Sequence, residues 1–261
     1  MTEGRDPWDA HWFDEPYAAL YPERGDREAR AHAAFARDVL APYASAGRLN
    51  WLDLACATAR RTAALAPGAA TTAGLDGSVA LLAAARRREP RVRPGVFCAR
   101  ATAIPVAARS VGAAVCFTAC FGATEDPRDD AALAREIARV LAPGGAFLSA
   151  AFNAERLVAG LAAREEKTVT GTRVVVRRRY DPVRRMLEKE IEIGSGDDRR
   201  VYARRARAAT EHELRARLRE AGLTVVSGWG DFDGSAFDRR RSPRLLLLAT
   251  KPSSRAFGRR R

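Results

Sequence analysis

The sequence predicts an α/β fold, a mostly parallel sheet flanked by helices, with a small antiparallel β insertion and a terminal antiparallel hairpin. Three observations predict it. From 49 to 152, short apolar runs alternate with amphipathic stretches, the rhythm of strands joined by crossover helices. From 164 to 208 the hydrophobic period changes to two, with turn chemistry at Asp181-Pro182 and again at Gly194-Ser195-Gly196-Asp197. Beyond a helical stretch at 210–223, two apolar runs at 223–232 and 243–251 are separated by a polar loop too short for a parallel crossover.

The elements follow in order. Aromatics at Trp8, Trp12, Phe13, Tyr17, Tyr21, Phe35 and Tyr43 recur among Ala and Arg at helical spacing, so 1–48 reads as an N-terminal helical cap. LNWLDLAC (49–56), TTAGLD (71–76), GVFCAR (95–100), VGAAVCFTACF (111–121) and GGAFLSAAF (144–152) read as strands, with helices between them. Pro143, Gly144 and Gly145 are expected to end the helix 128–142 and turn the chain into the last of these strands. The segment 164–208 is expected to form a small antiparallel sheet laid over the main body as a lid. Thr210 and Glu213 form a capping box opening the next helix, and Gly222 closes it from the C′ position. Residues 1–252 thus form one domain, comprising the cap, the core 49–152, the lid and a helix-plus-hairpin unit 209–252; residues 253–261 are a basic tail.

Composition narrows the classes. A chain of 261 residues with 47% hydrophobic content buries a sizeable core. It has no apolar run of membrane-spanning length, and its acidic beginning lacks the features of a signal peptide, so it reads as a soluble cytoplasmic protein. Net charge is +13, but only three of the 45 basic residues are lysines (Lys167, Lys189, Lys251). The arginine clusters lack the aromatic interleaving of a base-stacking platform, so the balance reads as a solvated surface and a nucleic-acid partner is the third-ranked reading. Cys56, Cys98, Cys116 and Cys120 form no metal-type pair and read as buried, reduced thiols.

WLDLACATARR (51–61), GLD (74–76), the Ile104-Pro105 step, REIARVLAPGGAFL (135–148), the helix 207–223 and the segment 230–251 together resemble the class I S-adenosylmethionine (SAM) methyltransferases, in their small-molecule branch. The resemblance implies a Rossmann-like seven-stranded sheet, SAM as cofactor and a small-molecule substrate. It assigns Asp76, with Gly77 beside it, to the ribose hydroxyls, Asp53 to the methionyl ammonium, and Arg100, Ala101 and Thr118 to the cofactor's surroundings. Tyr17, Tyr21, Phe121, Phe152 and Asn153 fall where the family lines its cleft, and His11 is a candidate general base.

Three departures stand out. The family's loop runs acidic-x-Gly-x-Gly-x-Gly, whereas this chain has Ala55, Cys56, Ala57 and Ala59 after Asp53, with alanine at all three glycine positions. If those positions keep positive φ, each alanine costs about 1–2 kcal/mol, and the three together weaken SAM binding by roughly 10- to 1000-fold; if φ is negative, only a steric cost remains. Arg100 stands where the family has an Asp that accepts from adenine, and a guanidinium only donates. Gly112 replaces a further Asp. Two readings therefore stand open: methyl transfer from SAM to a small metabolite, or a SAM-independent relative, possible pseudoenzymes included, with Arg60, Arg61 and Arg100 holding an anion at the cleft mouth.

Overall fold

The computed structural model describes residues 25–47, 49–67, 71–88, 95–117, 121–122, 124–169 and 171–253. Helix α1 (Asp26–Ala44) leads into β1 (Leu49–Leu54), α2 (Arg60–Leu65), β2 (Thr72–Asp76), α3 (Val79–Arg88), β3 (Gly95–Cys98) and β4 (Val111–Cys116). Then come α4 (Pro127–Val140), β5 (Leu141–Phe152), α5 (Ala154–Ala159), and the strands β6 (Arg164–Val169), β7 (Thr172–Asp181), β8 (Met186–Ile193) and β9 (Arg200–Arg207). Helix α6 (Glu211–Glu220), β10 (Thr224–Trp229) and β11 (Arg244–Thr250) complete the described chain.

Seven strands form the main sheet in the order β10-β11-β5-β4-β1-β2-β3. The pairs β3–β2, β2–β1, β1–β4 and β4–β5 are parallel, while β11 is antiparallel to both β5 and β10, as the terminal hairpin predicted. Both faces are covered, which is why the strands read as continuous apolar runs. On one face Trp51, Ala113, Val115, Leu148 and Leu246 pack with Ala33, Ala36 and Leu40 of α1. On the other, Leu52, Leu54, Phe147 and Leu247 meet Leu133 and Ile137 of α4 and Leu214 and Leu218 of α6. Chain order along β1 continues to one side through β2 and to the other through β4, so the sheet's switch point, where such folds leave a crevice, lies outside the carboxyl ends of β1 and β4.

Gly112 has a packing reason for replacing the family's aspartate. A Cβ on it would lie 2.1 Å from the Ala44 carbonyl oxygen, so the end of α1 rests directly on the β4 backbone and no side chain fits between.

One boundary differs from expectation. Helix α4 ends at Val140 and β5 begins at Leu141, paired with Val111. Pro143 and Gly144 lie inside the strand, where the register shifts between Val111 and Ala113; Gly144, at φ +82°, donates its amide to the Lys251 carbonyl. The pair makes an irregularity in the strand instead of the turn before it, while the Lys251 ammonium caps α4 through the carbonyls of Ala138 and Leu141.

Strands β6 to β9 form a separate antiparallel sheet in sequence order. Val174, Val176, Ile191 and Tyr202 form its apolar cluster. The opposite face carries an Arg–Glu lattice in which Glu192 alone meets Arg173, Arg177 and Arg199. Period two makes this division: residues of opposite parity along β7 and β8 serve opposite faces. Helix α6 has both hydrogen bonds of the capping box, and Gly222 (φ +85°) with Leu223 closes it, their amides bonding the carbonyls of Arg219 and Leu218. Among the described residues no helix is long and apolar enough to cross a membrane.

Cys56 is buried and free, but Cys98 is free and exposed at the end of β3. Cys116 is disulfide-bonded, so the expectation of four reduced, buried thiols fails for it.

Candidate active site

The turn between β1 and α2 crosses the switch point. Ala55, Ala57 and Ala59 have φ of 55°, 50° and 55°, all in the left-handed region that L-residues avoid. What holds them there is partly visible. The Ala57 amide donates to Asp76 Oδ2 at 2.8 Å, the Cys56 amide to the Leu75 carbonyl at 2.9 Å, and the Ala59 amide to the Cys56 carbonyl at 2.9 Å. The Ala59 methyl is buried with Cys56, Leu82 and Ala85, turned into the core, whereas Ala55 and Ala57 are only half-buried. Of the three added methyl groups, one therefore takes no space at the surface of the loop.

Beneath the loop lies Asp53, 1% exposed, accepting from Thr62 Oγ1 at 2.6 Å. Period two aims it at the α1/α2 face, and loss of solvent pushes its pKa up to about 7, against the opposing pull of the Thr62 hydroxyl and Arg61. Burial likewise pushes the Cys56 thiol far up, so it is no nucleophile. Asp76, at the end of β2, also titrates higher than usual because of burial, tempered by the amides of Ser78, Ala57 and Gly77. Its Oδ1 accepts from the Ser78 amide at 2.9 Å. Each carboxylate oxygen has two lone pairs, so the carboxylate keeps acceptor capacity for a ligand diol.

On the β4 side of the turn lies a cluster drawn from distant segments. His32 of α1 stacks on Phe232 with ring centroids 3.7 Å apart. Its Nδ1 accepts from Arg61 Nε at 3.2 Å, which leaves the ring proton on Nε2, 3.6 Å from Glu28 Oε1. Burial, with Arg61 and Arg244 close by, lowers the His32 pKa to about 3, so the imidazole is neutral. The Arg61 guanidinium lies 5.8 Å from the centroid of Phe117, the residue that follows β4. Arg244 joins Asp231 at 2.6 Å and Glu28 at 3.5 Å.

Residues 52–145, from β1 into the start of β5, match the methyltransferase domain family. No curated protein matches the sequence. Among solved structures, a SAM-dependent methyltransferase from Clostridium acetobutylicum is similar with a TM-score of 0.76 at 16% identity, over 91% of this chain and 97% of that one. The CcbJ methyltransferase from Streptomyces caelestis gives 0.77 at 20% identity, over 94% and 100%. The sugar N-methyltransferase KedS8 from Streptoalloteichus gives 0.69 at 21% identity, over 97% and 99%. Residues 52–145 thus carry a methyltransferase-domain match, and the fold is that of the class I SAM-dependent methyltransferases.

The structure brings together Asp53, Ala55, Cys56, Ala57, Ala59, Asp76 and Gly77 around one turn. Arg100 is exposed just beyond β3 with Ala101 half-buried after it. Arg61 stands on α2, just after β1, and Arg100 just beyond β3, with β2 between them, so the two strand ends lie about 10 Å apart along the sheet edge. Phe121 is corrected from a cleft residue to a core one, 1% exposed and edge-on to Phe147. Asn153 is 4% exposed and caps α5, its amide spent on the carbonyls of Arg239 and Ser242. Phe152, 52% exposed, lines a shallow groove with Phe237, Glu155 and Glu211. His11, Tyr17, Tyr21 and Thr118 lie outside the described residues. Sequence reasoning passed over His32, Glu28, Phe117, Phe232 and Arg244. The one signal available was the unusual His32 on an otherwise Ala-rich helical face.

Proposed function

We propose that this protein is a methyltransferase that moves the methyl group of SAM onto a nucleophilic atom of a small-molecule acceptor held at the carboxyl edge of β1 and β4. One observation carries the reading: the turn after β1 keeps the left-handed conformation at all three alanine positions and is hydrogen-bonded to Asp76, so the backbone form of a cofactor turn survives without its glycines. Two structurally similar proteins, a sugar N-methyltransferase and an amino-pentose methyltransferase, support a small polar acceptor.

When bound, SAM supplies an electrophilic methyl on a positively charged sulfur. The protein's part is to position and exclude water. Asp76 would accept from the ribose hydroxyls, the half-buried Ala55 and Ala57 would line the face against the ligand, and Phe117 would wall the reacting end. The small sheet β6–β9 would cover the acceptor, anchored by Arg185 and Arg207 to Glu213. Among the described residues near the crevice, His32 is held neutral and engaged by Arg61, so it is no free base.

Calorimetry with SAM tests the reading. Saturable binding at about tens of micromolar supports it, and no heat at about millimolar SAM sinks it in favour of a SAM-independent relative.

A further inference from the structure

We propose that Arg61, pinned by His32 over the Phe117 ring, binds the carboxylate at the amino-acid end of the donor. This rests on the reading above that the cleft takes SAM. Along the carboxyl edge of the sheet the order is Arg100 beyond β3, Asp76 at β2, the alanine turn after β1, and Phe117 after β4. A nucleoside with its ribose at Asp76 and its base toward β3 must extend its remaining atoms over β1 toward β4. Two strand spacings, about 10 Å, bring it to the neighbourhood of Arg61 and Phe117.

Arg61 is built to stay there. Nε donates to His32 Nδ1 at 3.2 Å, and the guanidinium sits against Phe117, its Cζ 5.8 Å from the ring centroid. His32 is in turn fixed by its stack on Phe232 and is 5% exposed. Because the imidazole is neutral, it orients the guanidinium without repelling it or cancelling its charge. Arg244, the other described arginine of the cluster, forms its short bond with Asp231. Glu28 Oε1 stands 3.9 Å from Arg61 Nη2, a loose contact that a ligand carboxylate in bidentate geometry would outcompete. A guanidinium so held has little orientational freedom left to lose on binding.

The test uses two ligands that differ only at that end: S-adenosylhomocysteine, which has the carboxylate, and 5′-methylthioadenosine, which lacks the whole amino-acid portion. By calorimetry, Arg61→Ala should weaken S-adenosylhomocysteine by about 10- to 100-fold and change methylthioadenosine by less than about twofold. Arg61→Lys should fall between, because it keeps the charge but loses the planar fork and the His32 contact. His32→Phe, which preserves stacking, should weaken only S-adenosylhomocysteine, and by less than Arg61→Ala. Equal loss for both ligands, or no loss for either, overturns the assignment while leaving the SAM reading intact. Wild type that binds neither ligand overturns both. Retained methylthioadenosine affinity also shows that the variant is folded.

Discussion

Ala55, Ala57 and Ala59 concentrate the cofactor question on single φ angles. In the left-handed region each alanine is strained by about 1–2 kcal/mol, while glycine would relieve that strain at an unfolded-state entropy cost of about 0.4–1 kcal/mol. The net gain per site is therefore small and positive. The Ala55→Gly/Ala57→Gly/Ala59→Gly variant should unfold about 1–3 kcal/mol later in urea than wild type. Its affinity for SAM should rise mainly through positions 55 and 57, because the methyl of Ala59 is packed in the core with Leu82 and Ala85. Single exchanges measured by calorimetry separate the three: a gain confined to Ala59→Gly contradicts this account. Arg100 remains a departure from the family that no hydrogen bond among the described residues compensates in kind.

At the scale of elements, the junction between the small sheet and the main body turns on Asp130. This residue of the first turn of α4 is fully buried; Oδ1 accepts from the Gly122 amide at 2.8 Å and Oδ2 lies 3.6 Å from Arg207 at the end of β9. The Arg207 amide donates to the Thr124 carbonyl at 3.1 Å, so β9, the segment after β4 and α4 meet at one point. Gly122 itself, at φ +78°, is wedged against Leu214 of α6, where a Cβ would come within 2.9 Å. Asp130→Ala strands the Gly122 amide and takes from the half-buried Arg207 guanidinium one of its two carboxylates, leaving Glu213, and should cost about 2 kcal/mol in urea unfolding. Hydrogen exchange should accelerate at Gly122 and Arg207 ahead of β1 and β5. Uniform acceleration across the sheet would show that the junction is no separate unit.

Over the whole molecule, two buried groups pull stability in opposite directions with pH. Asp53 holds its proton in the folded state up to about 7 and in the unfolded chain only to about 3.8, so its contribution is fully present below 3.8 and is lost as pH rises toward 7. His32 is the reverse: its folded pKa of about 3 lies below the unfolded 6.5, so its contribution is present above 6.5 and is lost as pH falls toward 3. Between about 4 and 6.5 the two slopes nearly cancel. Thermal melts over that window should show Asp53→Asn gaining stability relative to wild type as pH rises, because the asparagine removes the cost of burying a charge and still accepts from Thr62. His32→Gln should gain relative to wild type as pH falls. Parallel pH profiles for both variants and wild type would mean that neither group titrates as its burial demands.

Local pattern was sufficient for much of this molecule. Alternating apolar runs announced the parallel strands, the change to period two announced β6–β9, Thr210 with Glu213 announced α6, and the segments Asp53 to Ala59 and Asp76 stood out as the ends of β1 and β2, because each signal is written within a few neighbouring residues. Tertiary structure alone decided the rest. That alanines occupy left-handed backbone, that Gly112 admits the end of α1, that Phe121 and Asn153 serve packing, and that His32, Arg61 and Phe232 meet, all depend on what segments tens to hundreds of residues apart place against one another. Backbone conformation and side-chain contact answer to the space those segments leave, which no local pattern encodes.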